Sequence, residues 1–373
     1  MNHPAVKFSN HVHNEFFTTL RTRVNSYFED KHISKYANTA MVSKTTVMLM
    51  LYFVPYILMV SGFFQGFWIM FLFWMIMSIG KSGIGMSIMH DANHGSYSKY
   101  PIVNGFLGYL LNFVGGSSVN WKIQHNILHH TYTNVEGMDE DINSGQLMRF
   151  SPNQKRLKIH RLQIVYAWFL YGLLTINWFF WKDIPQIFRY RKLGHIKGNT
   201  VTFSLMIAEL LLSKIVYAFL FLWLPYYMLD LTFLQIFIGF FAMHFVTGLT
   251  LACIFNSAHV LTTSDYAQPN DNGQMENNWA VHQLLNTSNF SPKSKLFSWF
   301  VGGLNFQIEH HLFPHICHIH YKNISKIVKQ TTKEYGIPYN EYPSFWNALG
   351  NHARMLWHLG KGESFSTFKE QIV

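Results

Sequence analysis

From Thr45 to Gly80 the chain carries no Asp, Glu, Lys or Arg. No soluble helix keeps a solvated face over such a run, and at about 20 residues per crossing it suffices for most of two membrane spans. The stretch Ser61-Gly62-Phe63-Phe64-Gln65-Gly66 is a natural turn, which places spans at about 45–61 and 67–88. A second pair is expected at about 205–225 and 233–256, turning at Pro225–Thr232. Composition agrees: 49% of the 373 residues are hydrophobic and only 13% are charged, against about 25% charged in a soluble chain. The expected architecture is an all-α integral membrane protein with four transmembrane helices in two hairpins.

Neither hairpin turn contains Lys or Arg, whereas the connecting segment 89–200 is studded with them from Lys99 to Lys197. The positive-inside rule therefore predicts that this segment and both termini are cytoplasmic. The net charge of +10 does not point to nucleic acid, because the basic residues flank apolar stretches rather than forming one binding arm. Leu162–Trp181 is uncharged and long enough to cross, which would strand the two halves of the chain on opposite faces. Its flanks are basic on both sides and it carries Gln163, Tyr166, Asn177 and three tryptophans, so it is expected to lie in the headgroup region. Pro101–Ser118 reads likewise as interfacial or re-entrant. Asn14–Tyr36 reads as an amphipathic helix, interfacial next to a membrane hairpin, with Phe16, Phe17, Leu20, Val24, Tyr27 and Phe28 on one side. No cleavable signal peptide is expected, since the first long apolar run begins too deep in the chain. Cys253 and Cys317 form neither a disulfide framework nor a Cys-x-x-Cys pair.

The 21 histidines fall into three notable clusters: HDANH (His90, His94), HNILHH (His125, His129, His130) and QIEHH (Gln307, His310, His311). In a helix, residues four apart share a face, so His90/His94 and His125/His129 can each grip one metal. His130 stands about 100° round from His129 and can address a second metal. Composition alone predicts an H-x-x-x-H-H run only about 0.07 times. Neutral imidazole suits iron, copper, zinc and nickel, and so many imidazoles exceed what one ion uses. With four spans, all three clusters fall on the cytoplasmic face.

These clusters resemble the three histidine boxes of the membrane fatty-acid desaturases. The resemblance runs from about Thr45 to Pro338 and includes HHTYTNVEGMDEDI and GGLNFQIEHHLFPHICHIHY. It implies four spans under a cytosolic, histidine-rich cap that holds two non-haem iron ions. It also implies removal of two hydrogens from a long-chain acyl group, as acyl-CoA or acyl-lipid, with dioxygen and two external electrons. On this reading 45–338 is the desaturase domain, 1–44 a cytosolic or interfacial N-terminal segment and 339–373 a cytosolic tail. The host membrane would be a bacterial inner membrane or the endoplasmic reticulum.

The resemblance further implies ligand roles for His90, His94, His125, His129, His130, His310 and His311. His259, in FNSAHV, resembles a further ligand near the end of the fourth span, and Asn256 a residue that approaches iron through water. Gln307 stands where many desaturases have histidine and resembles the front-end branch, which inserts a double bond between an existing one and the carboxyl end. Eukaryotic members of that branch commonly carry a fused cytochrome b-type domain marked by His-Pro-Gly-Gly. Here the N-terminus offers His3-Pro4-Ala5, so the electron donor is expected to be a separate ferredoxin or cytochrome b-type protein with its reductase.

Asp139 and Asp141 read either as carboxylates that orient ligand histidines or as a plain acidic loop. His282, His315, His318 and His320 read as supports or surface residues before ligands. His244, inside the fourth span, reads as neutral and hydrogen-bonded across helices. The rival activity is a di-iron membrane hydroxylase of an alkane, sterol or carotenoid, which would add oxygen where a desaturase only removes hydrogen. A metal transporter is disfavoured because transport sites sit near the bilayer midplane, and nearly all the histidines lie beyond the span ends.

Overall fold

The structure, a computed structural model, describes residues 6–9, 13–143 and 145–362. His3-Pro4-Ala5 and the last part of the C-terminal tail, 363–373, lie outside the described residues. Four helices are long and apolar enough to cross a membrane: Thr39–Val60, Phe67–Asn93, Thr200–Met228 and Phe233–His259. They start earlier or end later than the apolar runs because the capping chemistry lies outside them. Asn38 caps the first by accepting from Met41 N at 3.2 Å, and Asn199 caps the third by accepting from Thr202 N at 2.9 Å. Two further helix pairs are broken: Pro101–Phe113 with Ser118–Tyr132, bent by 112°, and Lys158–Gly172 with Leu174–Lys192, bent by 59°. Neither pair is straight, and counting each as one broken span would raise the total to six.

The chain divides into two compact units, each discontinuous in sequence. Unit 2 comprises Ala37–Ile123 and Trp168–Ala252 and holds the spans down to the last turns of the fourth. The first two spans pack closely, since a Cβ on Gly80 would stand 2.6 Å from Tyr52 N, a backbone atom that cannot yield. Polar groups inside this unit find each other across helices, as hydrocarbon requires. His244 Nδ1 lies 3.0 Å from Thr175 Oγ1, its Nε2 lies 3.0 Å from Tyr217 Oη, and Lys81 Nζ reaches Tyr217 Oη at 3.0 Å. Lys214 pairs with Asp183 and also donates to Gly115 O at 2.9 Å. His244 is thus hydrogen-bonded across helices, as read from the sequence.

Unit 1 comprises Met1–Tyr36, Gln124–Ala167 and Cys253–Val373. Its core joins Phe16, Leu20, Val24 and Phe28 of helix Asn14–Asp30 to Ile308, Leu312, Tyr321, Ile324 and Val328. The apolar face of the N-terminal helix is therefore taken up by protein, which corrects the interfacial role expected for it. Amphipathicity specifies that a face is buried, not whether lipid or protein covers it. A two-residue parallel pairing, Asn289 with Glu341 and Phe290 with Tyr342, closes the unit behind the third cluster.

Candidate metal centre

Unit 1 draws six histidines together. His129, His259 and His311 form one group whose ligating nitrogens lie within 4.8 Å of one another, and His130, His310 and His311 form a second. All are buried. His125 joins through His130, whose Nε2 lies 3.2 Å from His125 Nε2 and 2.9 Å from His310 Nε2. Imidazoles sharing one ion at about 2.1 Å stand roughly 3.0–3.4 Å apart. One proton can serve only one of the two contacts that His130 Nε2 makes, so a shared cation suits this meeting point better.

The local winding explains how His130 gets there. Lys122–His129 is π-helical rather than α-helical. With i→i+5 hydrogen bonds the turn is wider than that of an α-helix, which turns His130 back towards His125. Spacing read on an α-helix directs His130 away from that pair; the wider turn brings the two together. The second span has a π-helical turn too, Ile84–Ile88, directly before HDANH.

His129, His259 and His311 share one device. His129 Nδ1 lies 3.1 Å from Asp139 Oδ2, His259 Nδ1 lies 3.3 Å from Asn286 O, and His311 Nδ1 lies 2.8 Å from Gln283 Oε1. Each acceptor holds the proton on Nδ1 and so leaves the Nε2 lone pair available. The three Nε2 atoms are buried and have no hydrogen-bond partner. Buried polar atoms without partners are costly, about 1–3 kcal/mol each, and a metal ion is the partner that three converging lone pairs fit. His310 Nδ1 lies 3.3 Å from Tyr321 Oη, whereas His125 Nδ1 stands 3.8 Å from Asp141 Oδ2, too far for a hydrogen bond.

Asp139 is set in the interior and not in a solvated acidic loop. It is buried, faces His129 and accepts from the backbone nitrogens of Asn134 at 2.8 Å and Asp141 at 2.9 Å. Burial works against a charge on His129, but Asp139 and Asp141 outweigh it and raise the imidazole pKa to about 9. The negative charge that would hold a proton there equally favours a bound cation. His311 has no carboxylate at hand; burial and then its histidine neighbours push it well below the ordinary range, so it is a neutral donor.

Both ring nitrogens of His282 face protein atoms. Its Nε2 lies 2.8 Å from Thr133 O, its Nδ1 faces Asn286 Nδ2 at 3.4 Å, and burial lowers its pKa to about 4. His320 packs against Phe28 with its Nε2 at 3.3 Å from Tyr36 O. Gln307 is fully buried, and neither amide atom has a hydrogen-bond partner. Asn256 lies one turn before His259 on the fourth span. His90 and His94 belong to unit 2, where their rings stand 4.9 Å apart at the end of the second span, both against Trp121.

Sequence reasoning missed Gln283, Asn286, Thr133 and Asn134, which make hydrogen bonds to the clustered histidines. Asn134 takes a left-handed backbone, φ 61°, and its Nδ2 donates to His259 O at 3.0 Å. It also missed Glu309, whose carboxyl accepts from Asn289 Nδ2 at 2.8 Å and Tyr339 Oη at 3.0 Å. Burial pushes that carboxyl up to about 8. Buried amides inside the apolar segment WAVHQLLN are the one signal that pointed to Gln283 and Asn286.

Helices long and apolar enough to cross a membrane, with a buried cluster of imidazoles that could hold a metal, fit the class of membrane metalloproteins. The sequence comparisons make the class specific: the fatty acid desaturase family matches residues 66–343. The chain is 34% identical to the sn-1 linoleoyl-lipid 6-desaturase of Synechocystis sp., over 93% of this chain and 96% of that protein. It is 35% identical to the enzyme of the same name from Arthrospira platensis, over 90% and 89%. An acyl-lipid (8-3)-desaturase of Physcomitrium patens is 35% identical over 96% of this chain and 74% of its own length. The chain belongs to the fatty acid desaturase family and is an oxidoreductase that desaturates fatty acyl chains.

Proposed function

We propose that this protein is a front-end acyl-lipid desaturase with two non-haem irons. The ligands proposed are His125, His129, His130, His259, His310 and His311, with His90 and His94 included on the strength of their motif. Gln307 and Asn256 border the site, while Asp139, Asp141 and His282 orient it. One observation carries the reading: three buried histidines each commit Nδ1 to an acceptor while their unpartnered Nε2 atoms converge.

In the reaction two adjacent methylenes lose one hydrogen each, and dioxygen takes up these two, two protons and two electrons to leave as two waters. Bound iron supplies the dioxygen chemistry that an unactivated C–H bond demands and no side chain provides. The residues of this chain do the rest. Asp139, Asn286 and Gln283 fix the tautomers of their histidines, the carboxylates of Asp139 and Asp141 balance positive charge, and burial keeps bulk water from the cluster. The electrons come from a separate ferredoxin or cytochrome b-type protein with its reductase.

Gln307 and the names of the cyanobacterial relatives support a lipid-bound acyl chain that is desaturated between an existing double bond and the carboxyl end. The basic 89–200 segment supports a cytoplasmic site and cytoplasmic termini, in a bacterial inner membrane or the endoplasmic reticulum. Expression in a host supplied with linoleate, followed by mass spectrometry that locates double bonds in intact lipids, tests the reading. A new double bond on the carboxyl side of the existing ones is expected. A new bond on the methyl side would overturn the front-end assignment, and a product found only as acyl-CoA would overturn the acyl-lipid one.

A further inference from the structure

Helix Phe345–Lys361 lies in what reads from sequence as a cytosolic tail, yet it is anchored at both ends. Ser344 caps its start by accepting from Asn347 N, and Gly362 ends it in a left-handed turn, φ 76°. Its last carbonyls are held by unit 1: Gln163 donates to Leu356 O at 2.8 Å, Arg149 to Leu359 O at 2.9 Å and Arg156 to Gly360 O at 2.7 Å. Midway, His352 Nδ1 lies 2.8 Å from Val260 O and Asn351 Oδ1 accepts from Thr262 N at 3.0 Å. Val260 and Thr262 follow immediately after His259, the last residue of the fourth span.

That clamp sets a depth. A span of 27 residues is about 40 Å long at 1.5 Å per residue. The hydrocarbon core is about 30 Å thick, or about 40–45 Å with both headgroup layers. The end of the fourth span therefore reaches headgroup level, and the helix is tied to the residues that follow it.

The buried face of the helix is Ala348, His352, Met355, Leu356 and Leu359. Its outward stripe runs through Trp346, Arg354, Trp357 and Lys361. Trp346 is 75% exposed, and Lys361 Nζ stands 4.3 Å over the Trp357 ring. No Asp or Glu occurs from Tyr342 to Lys361. Phe345 packs on Phe297 at 5.3 Å, which brings helix Lys295–Phe300 alongside. There Leu296 is 77% exposed, flanked by the exposed Lys293 and Lys295. Among the described residues of unit 1, Leu296 and Trp346 are the two most exposed large apolar side chains. Tryptophan beside Arg and Lys is the chemistry of a membrane–water interface.

We propose that this face is a lipid seat: it rests on the headgroup layer, with its tryptophans in the interface and Arg354 and Lys361 paired to anionic headgroups. The occupant is a lipid surface and not a soluble partner, because the tethers fix the helix at the span exit. His352 and Asn351 hold the seat next to His259, so lipid collected there lies beside the histidine cap.

Spin labels on W346C and W357C, with Cys253 and Cys317 replaced by alanine and the whole protein in lipid nanodiscs, read the environment directly. Greater collision with oxygen than with a water-soluble nickel chelate is expected at both sites. The reverse order would put the stripe in water, free for a soluble protein, and overturn the proposal. In the second arm, phosphatidylglycerol retained through purification is measured against phosphatidylcholine. Reversing both charges, R354E with K361E, is expected to lower the ratio by roughly tenfold while turnover in detergent stays unchanged. An unchanged ratio would show that the two cations hold no anionic headgroup.

Discussion

His311 Nδ1 lies 2.8 Å from Gln283 Oε1, and the same carbonyl stands 2.7 Å from Thr133 Oγ1. One buried amide on helix Trp279–Asn286 thus fixes which nitrogen of a third-box histidine carries the proton, and Asn278 starts that helix by capping Val281 N. Removing the amide while keeping the volume, as in Gln283→Leu, takes away the nearest acceptor of His311 Nδ1 and leaves only the longer 3.3 Å contact with Thr133 Oγ1, whose hydroxyl is also drawn to His129 O at 2.8 Å. Loss of such a supporting partner costs about 10–100-fold in metal affinity. Iron titration of the purified variant is expected to fall in that range, whereas wild-type affinity would remove Gln283 from the site.

His352 gives a pH dependence outside the spans. Burial lowers its pKa to about 4, with its hydrogen bond to Val260 O opposing the shift. An unfolded histidine titrates near 6.5, so the native state binds fewer protons between the two values. The stability contributed is therefore complete above about 6.5 and is lost as pH falls through about 4. Thermal midpoints in detergent should drop across that window. His352→Gln, which keeps an N–H donor but does not titrate, should flatten the slope; parallel curves would assign the acid sensitivity elsewhere.

The spans were legible because length without charge leaves a chain few alternatives, and the outer box residues because four-residue spacing survives moderate changes of helical winding. What a 3.6-residue reading could not foresee is the π-helical Lys122–His129, where one extra residue per turn redirects His130. Asn286 and Gln283 were hidden for another reason. They come from an element distant in sequence and act through single hydrogen bonds that leave no periodicity. The helix Asn14–Asp30 showed its buried face plainly but not its partner, which is the protein core around Ile308 and Tyr321.

Gln307 is buried with both amide atoms unpartnered, so its polar end is expected to serve the site, directly or through water. Gln307→His offers another donor and should keep iron and part of the desaturation. Gln307→Ala offers none and should lose most turnover. Equal product yields from Gln307→Ala and wild type would exclude the glutamine from the site.

Topology can be read independently of chemistry. Lys158–Gly172 and Leu174–Lys192 are bent by 59° and flanked by basic residues, so reporters fused near Lys155 and near Lys197 should both read cytoplasmic. Opposite readings would make the bent pair a span.

The central claim is that the imidazoles with free Nε2 atoms hold iron in pairs. Iron counted per chain by elemental analysis, after anaerobic loading of the purified protein, tests it directly. Wild type should carry two irons, and His129→Ala and His311→Ala should each carry fewer and lose desaturation, since each removes one of three converging lone pairs. Two irons and full turnover in either variant would contradict the account.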